Sequence, residues 1–132
     1  MALVVCNGGE LIALKALVNH TAQNENLVLK LFKSNTTPAE ADVVGTYTEA
    51  DFTGYAAVTL TGASWVVTGN PITYAKQTFT STAGSQNQPV YGYYLVRATG
   101  GELVYAERFT DGPYTIVNNG DKIEVTPSLG AD

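Results

Sequence analysis

The sequence predicts an all-β fold, a jelly-roll or similar antiparallel β-sandwich with a short N-terminal arm and helix. Three observations carry that prediction. The stretch from Gly45 to Trp65, GTYTEADFTGYAAVTLTGASW, is a run of threonines, aromatics and small residues, the types that suit a pleated, half-buried surface. Several segments alternate apolar and polar residues with the period of two that a strand requires. Turn clusters rich in Gly, Asn, Asp and Pro separate them at short intervals, which favours a sandwich or jelly roll over a parallel α/β sheet.

The elements follow in chain order. Leu3 to Cys6 reads as a short extended arm and Asn7-Gly8-Gly9 as a break. Glu10 to Asn19 reads as a helix, with Leu11, Leu14, Lys15 and Val18 at i, i+3, i+4 and i+7 on one face. Glu10 falls in the first turn, where the helix dipole favours an anion. So short a helix is marginal alone, so it must dock on its own sandwich or on a neighbouring subunit. Leu27 to Lys33 reads as a strand, with Leu27, Leu29 and Leu31 on one face and Lys30 and Phe32 on the other. A loop containing Pro38 spans Ser34 to Ala41. Strands are expected at Tyr55 to Leu60, at Ala63 to Thr68 with Trp65 and Val67 sharing a face, and at Ile72 to Thr80. In the last of these, Ile72, Tyr74 and Lys76 lie opposite Thr73 and Ala75. Thr82 to Gln88 is a polar loop. Val90 to Ala98 and Leu103 to Phe109 form a hairpin across Thr99-Gly100-Gly101, whose glycines tolerate positive φ. Asp111-Gly112-Pro113 is a turn, and Asn119-Gly120 introduces a last strand from Lys122 to Thr126. The expected division is an arm and helix over 1–20 and a β-sandwich over 21–132.

The chain has 132 residues, a length that suits one domain able to bury about two-thirds of its unfolded surface. Charged residues make up only 14% of the sequence, against a usual ~25%. A surface so poor in charge suits packing against other proteins, because charges are depleted at interface cores. The net charge of −5 and the dispersed cations Lys15, Lys30, Lys33, Lys76, Arg97, Arg108 and Lys122 argue against a nucleic-acid partner, which needs a basic face. The lone Cys6 permits no internal disulfide. The short apolar start does not read as a signal peptide, and the apolar stretch from Leu11 to Val18 is too short for a bilayer. Neither a membrane partner nor a cofactor is expected.

Candidate chemistry is sparse. His20, the sole histidine, would have to serve any Ser-His-Asp or Cys-His device, but it follows the helix among polar residues and reads as solvated. Cys6, in an apolar arm, reads as a packing residue rather than a nucleophile. Asp111, Asn118, Asn119 and Asp121 could supply oxygens to calcium, and turn formation explains the same residues without a metal. Glu40, Asp42, Glu49 and Asp51 read as a solvated loop, with no spacing that marks a glycosidase pair. Glu102 and Glu107 read as surface or interface polarity. Asn7-Gly8-Gly9 lacks the Lys-Ser/Thr of a phosphate loop. The glycosylation-like triplets at Asn19 and Asn35 read as chance matches. Tyr91, Tyr93 and Tyr94, with Trp65 and Tyr74, either pack in the core or form an aromatic platform for sugar rings.

Taken together, NLVLKLFKSNTTPAEA from Asn26, the following TYTEADFTGYAAVTLTGASW, and VYGYYLVRATGGELVYAERF leading into VNNGDKIEVTP resemble small structural proteins of tailed bacteriophages. MALVVCNGGELIALKAL at the start fits the same pattern. The resemblance is to capsid cement or decoration proteins. It implies a β-sandwich or jelly-roll unit made in the host cytoplasm and bound outside an icosahedral head. The expected partners are the major capsid protein and further copies of the same chain, with no enzymatic role and no catalytic residues. Leu3, Val4, Val5, Leu11, Leu14 and Val18 are the expected interface residues; the same segment could instead cover its own sandwich. The alternative function is a carbohydrate-binding module of a tail or fibre.

Overall fold

In the computed structural model, which describes residues 3–18, 26–67, 69 and 71–130, the chain is mostly β, with antiparallel sheets and one helix. The elements are β1 (Val4–Val5), α1 (Asn7–Val18), β2 (Leu27–Phe32), β3 (Val58–Leu60), β4 (Val66–Val67), β5 (Ile72–Thr73), β6 (Gln77–Thr80), β7 (Gln88–Val90), β8 (Gly92–Arg97), β9 (Leu103–Arg108), β10 (Tyr114–Ile116), β11 (Lys122–Val125) and β12 (Ser128–Leu129). A five-stranded sheet in the order β1-β9-β8-β2-β3 forms the centre. Two ladders, β7 with β10 and β6 with β11, and a small sheet β12-β5-β4 make up the remainder.

The central sheet is apolar on both faces, which follows from the alternation in β2 and β8. Leu29, Leu31, Tyr93 and Leu95 point to one side, where Ala50, Phe52, Phe79, Val90, Ile116, Ile123 and Val125 complete the larger core. The ladders β6/β11 and β7/β10 therefore cover that face. Phe32, Tyr94, Val96, Leu103 and Ala106 form a second core on the other side with Cys6 and Tyr47. Phe32 lies opposite the leucines as expected, but fully buried. Where β3 stops pairing with β2, the Tyr55 hydroxyl takes over: it accepts the Leu31 N–H at 3.2 Å and donates to Glu49 at 2.9 Å. Every buried backbone donor needs such a partner.

The hairpin of β8 and β9 forms as expected, turning at Gly100 and Gly101 with φ of +88° and +73°. The turn before β11 also forms, with Gly120 at φ +92°. Asp121 caps it by accepting the N–H groups of Val117 and Asn118 at 2.9 and 2.8 Å.

Several expectations are corrected. The helix begins at Asn7, not Glu10, and Asn7-Gly8-Gly9 is its first turn rather than a break. The glycines are needed for close approach: a Cβ at Gly8 would meet the Leu103 carbonyl at 2.8 Å, and one at Gly9 the Val104 carbonyl at 2.6 Å. The strand expected over Tyr55 to Leu60 is confined to β3. The one expected over Ala63 to Thr68 is a 3-10 turn, Gly62–Ser64, followed by β4, and Trp65 leans on the core while Val67 is exposed. The strand expected over Ile72 to Thr80 breaks into β5 and β6, which pair with different partners. Gln88 belongs to β7, not to the loop before it. β10 and β12 are strands the pattern did not mark. Asn19 and His20 lie outside the described residues.

Candidate interaction surface

β1 lies antiparallel beside β9, with Val4 opposite Ala106 and Val5 opposite Tyr105. The expected arm thus adds a strand to its own sheet. The chain then turns directly into α1: the Cys6 N–H bonds the Val104 carbonyl at 3.0 Å, and the Cys6 carbonyl receives the Glu10 N–H at 3.1 Å. Cys6 itself is fully buried. Burial, followed by the charges of Asp42 and Glu10, pushes its thiol up to about 11. It is a packing residue, held protonated at neutral pH and far from thiolate chemistry.

The loop around Pro38 to Asp42 is pinned beside this junction. The Asn7 N–H donates to the Glu40 carbonyl at 3.0 Å. Asp42 accepts the Ala39 N–H at 2.9 Å and the Tyr47 hydroxyl at 2.7 Å. Burial and that carboxylate hold the Tyr47 phenol well above its ordinary range. Tyr47 in turn stacks on Tyr94 at 5.2 Å between centroids. Helix base, loop and second core are thus one bonded unit.

Because α1 meets the sheet through its glycines, most of its side chains point away from the protein. Leu11, Leu14, Leu17 and Val18 are 52, 57, 74 and 67% exposed. Only Gly8, Gly9 and Ile12 of the helix are turned inward to a substantial degree. Monomers seldom leave such a contiguous apolar face open, and one that does marks an interaction site. Beside it runs a groove of about 610 Å³ between β1, α1 and the loop at Pro38–Glu40. Leu3, Val4, Val5 and Leu14 line it, with Tyr105, Ala13 and the carboxylates Glu10 and Glu40. Of the six interface candidates, four therefore meet at the groove, and Leu11 and Val18 lie on the adjoining helix face. Leu17 belongs to that face as well and was missed; it falls three residues after Leu14, within the same apolar stripe. A second exposed apolar patch, Val66, Val67 and Ile72, was also missed.

The other chemical candidates are occupied in holding the fold. Glu49 pairs with Lys30 at 3.2 Å and Asp51 with Lys33 at 2.7 Å. Lys33 and Gln88 hold the Asp51 carboxyl below its usual range. Glu102 pairs with Arg97 at 3.4 Å. Glu107 lies partly desolvated, which raises its carboxyl above the usual range. Among the described residues no group of His, Cys, Asp and Glu is arranged to hold a metal, and no helix is long and apolar enough to cross a membrane. Of the two readings of the tyrosines, core packing is the one the structure favours. Tyr93 is buried in the larger core, Tyr94 is buried in the second, and Tyr91 packs against the second core beneath Arg108, 5.0 Å from its ring centre. Arg108 is fixed there by Thr36 and Asn35. Trp65 is half-buried, edge-on to Tyr74. The chain matches no protein-family profile and no curated protein sequence.

Proposed function

We propose that this chain is a non-enzymatic virion structural protein, a capsid cement protein of jelly-roll-like fold that bridges neighbouring major capsid subunits from outside the shell. The observation that carries the proposal is the open apolar face of α1, Leu11, Leu14, Leu17 and Val18, set on a helix whose base is fixed to the central sheet. Such a face suits helix-in-groove docking. The bacteriophage-like segments direct it to a capsid, and the net charge of −5 suits an outer surface better than contact with packaged DNA. A five-stranded antiparallel sheet with ladders stacked on one face supports the jelly-roll reading. Contacts to several subunits make later ones intramolecular and raise effective affinity; further copies of the chain are expected to assemble around them. The carbohydrate-binding alternative gains no support from the rings at Tyr93 and Tyr94, which are buried.

The test is saturation of purified capsids lacking the protein. Wild-type chain binds to a fixed stoichiometry. The triple variant L11Q/L14Q/V18Q keeps its unfolding midpoint, because exposed positions shift stability by no more than about 0.5 kcal/mol. It loses at least about tenfold in affinity, equivalent to ~1.4 kcal/mol. Wild-type chain that fails to bind, or a triple variant that binds equally well, overturns the proposal.

A further inference from the structure

The groove beside β1 adjoins the helix face and shares Leu14 with it, but its chemistry is different. Among the described residues β1 has a neighbouring strand on one side only, β9. The Cys6 N–H points to β9, whereas the next N–H, that of Asn7, points the other way and meets the Glu40 carbonyl at 3.0 Å. Backbone groups alternate along an extended strand. Because Cys6 bonds across to β9, the preceding residue Val5 turns its N–H and carbonyl to the outer side of the strand, where Val5 lines the groove. The Asn7–Glu40 bond shows a turn carbonyl already meeting a backbone N–H on this side, one step further on. The floor beneath is apolar, with Leu3, Tyr105, Ala13 and Leu14. The charge is all of one sign: Glu10 and Glu40 line the groove, no lysine or arginine does, and among the described residues neither carboxylate is in an ion pair.

We infer that this groove is a strand-accepting site for an extended segment of a partner protein that carries lysine or arginine beside apolar residues. The segment pairs with the outer edge of β1, sets its apolar side chains on the floor and brings its cation between Glu10 and Glu40. An open sheet edge provides main-chain hydrogen bonds and side-chain pockets provide selectivity. A second copy of this chain is disfavoured as occupant, since it also carries a net charge of −5. With β1 only two residues long, the ladder is short, and the apolar floor and charge pairing must supply most of the affinity. The inference does not require the partner to be a capsid protein.

The experiment is a selection of randomised nine-residue peptides on the immobilised full chain, followed by amide-resolved titration. The expected winners alternate apolar residues with lysine or arginine and shift the amide signals of Leu3 to Cys6 and of Glu10. The variant E10Q/E40Q, both of whose positions are exposed, binds them about tenfold more weakly while keeping the wild-type circular dichroism and unfolding midpoint. Methylating the peptide amides that face β1 weakens binding, and so does raising NaCl. No enriched peptide, acidic or helix-patterned winners, indifference to E10Q/E40Q, or tolerance of methylation would each sink the proposal. So would dimerisation of the chain that occupies the β1 amides, which assigns the edge to a second copy.

Discussion

Gly9 shows how much a single hydrogen atom decides. In an exposed helix, replacing glycine with alanine gains about 1 kcal/mol of propensity. Here the added Cβ would fall 2.6 Å from the Val104 carbonyl oxygen, a backbone atom with little room to shift. Overpacking costs about 1–3 kcal/mol, so Gly9→Ala is expected to lower stability in a denaturant titration, with the opposite sign to the propensity rule. Tyr55 is a second such position. Its hydroxyl serves both the Leu31 N–H and Glu49, and Tyr55→Phe orphans that donor at a cost of about 1–3 kcal/mol, readable in the same titration. Neither role was legible in the sequence. A Gly-Gly pair after asparagine carries the same local signal whether it breaks the chain or lets a helix approach a sheet, and only β9, nearly a hundred residues further on, decides between them. The buried cysteine was legible because an apolar neighbourhood is a local property.

Among the elements, the long strands were read well and the short ones were not. β2, β8, β9 and β11 each carry several alternating residues of their own. β4, β5, β10 and β12 run two or three residues; partners far along the chain define them, with β12 closing on β5 and β10 on β7. The apolar stripe of α1 was correctly located, and its exposure depends on the glycines that hold the opposite side to β9. The turn before β11 is set by one side chain. Val117 and Asn118 donate to Asp121, and their N–H groups hold its carboxyl below the usual range. A carboxylate whose folded pKa is depressed contributes stability that is present above its unfolded pKa and is lost as pH falls through the folded one. Asp121→Asn is therefore expected to lower the thermal midpoint at neutral pH and to flatten its decline below about pH 4, measured by calorimetry across an acid series.

At the scale of the molecule, the side chains that respond to alkali are gathered around the central sheet. Burial raises the Cys6 thiol to about 11 from 9.0 and the Tyr94 phenol to about 12 from 10.0, and Tyr93, Tyr47 and Tyr55 shift the same way. A group whose neutral form is favoured by folding stabilises the protein below its unfolded pKa, and that stability is lost as pH rises towards the folded value. The thermal midpoint is expected to fall as pH rises above about 9, first through Cys6 and then, above about 10, through the tyrosines. Cys6→Ala removes the first part of the slope and leaves the second. The sealed position of Cys6 has a further consequence for the proposed assembly. A thiol on the surface of closely spaced subunits would weld them together through disulfides in any oxidising medium. Buried beneath β1 and α1, Cys6 is out of reach of another subunit, so chains in the proposed assembly would not be joined through it and their contacts could come apart and re-form.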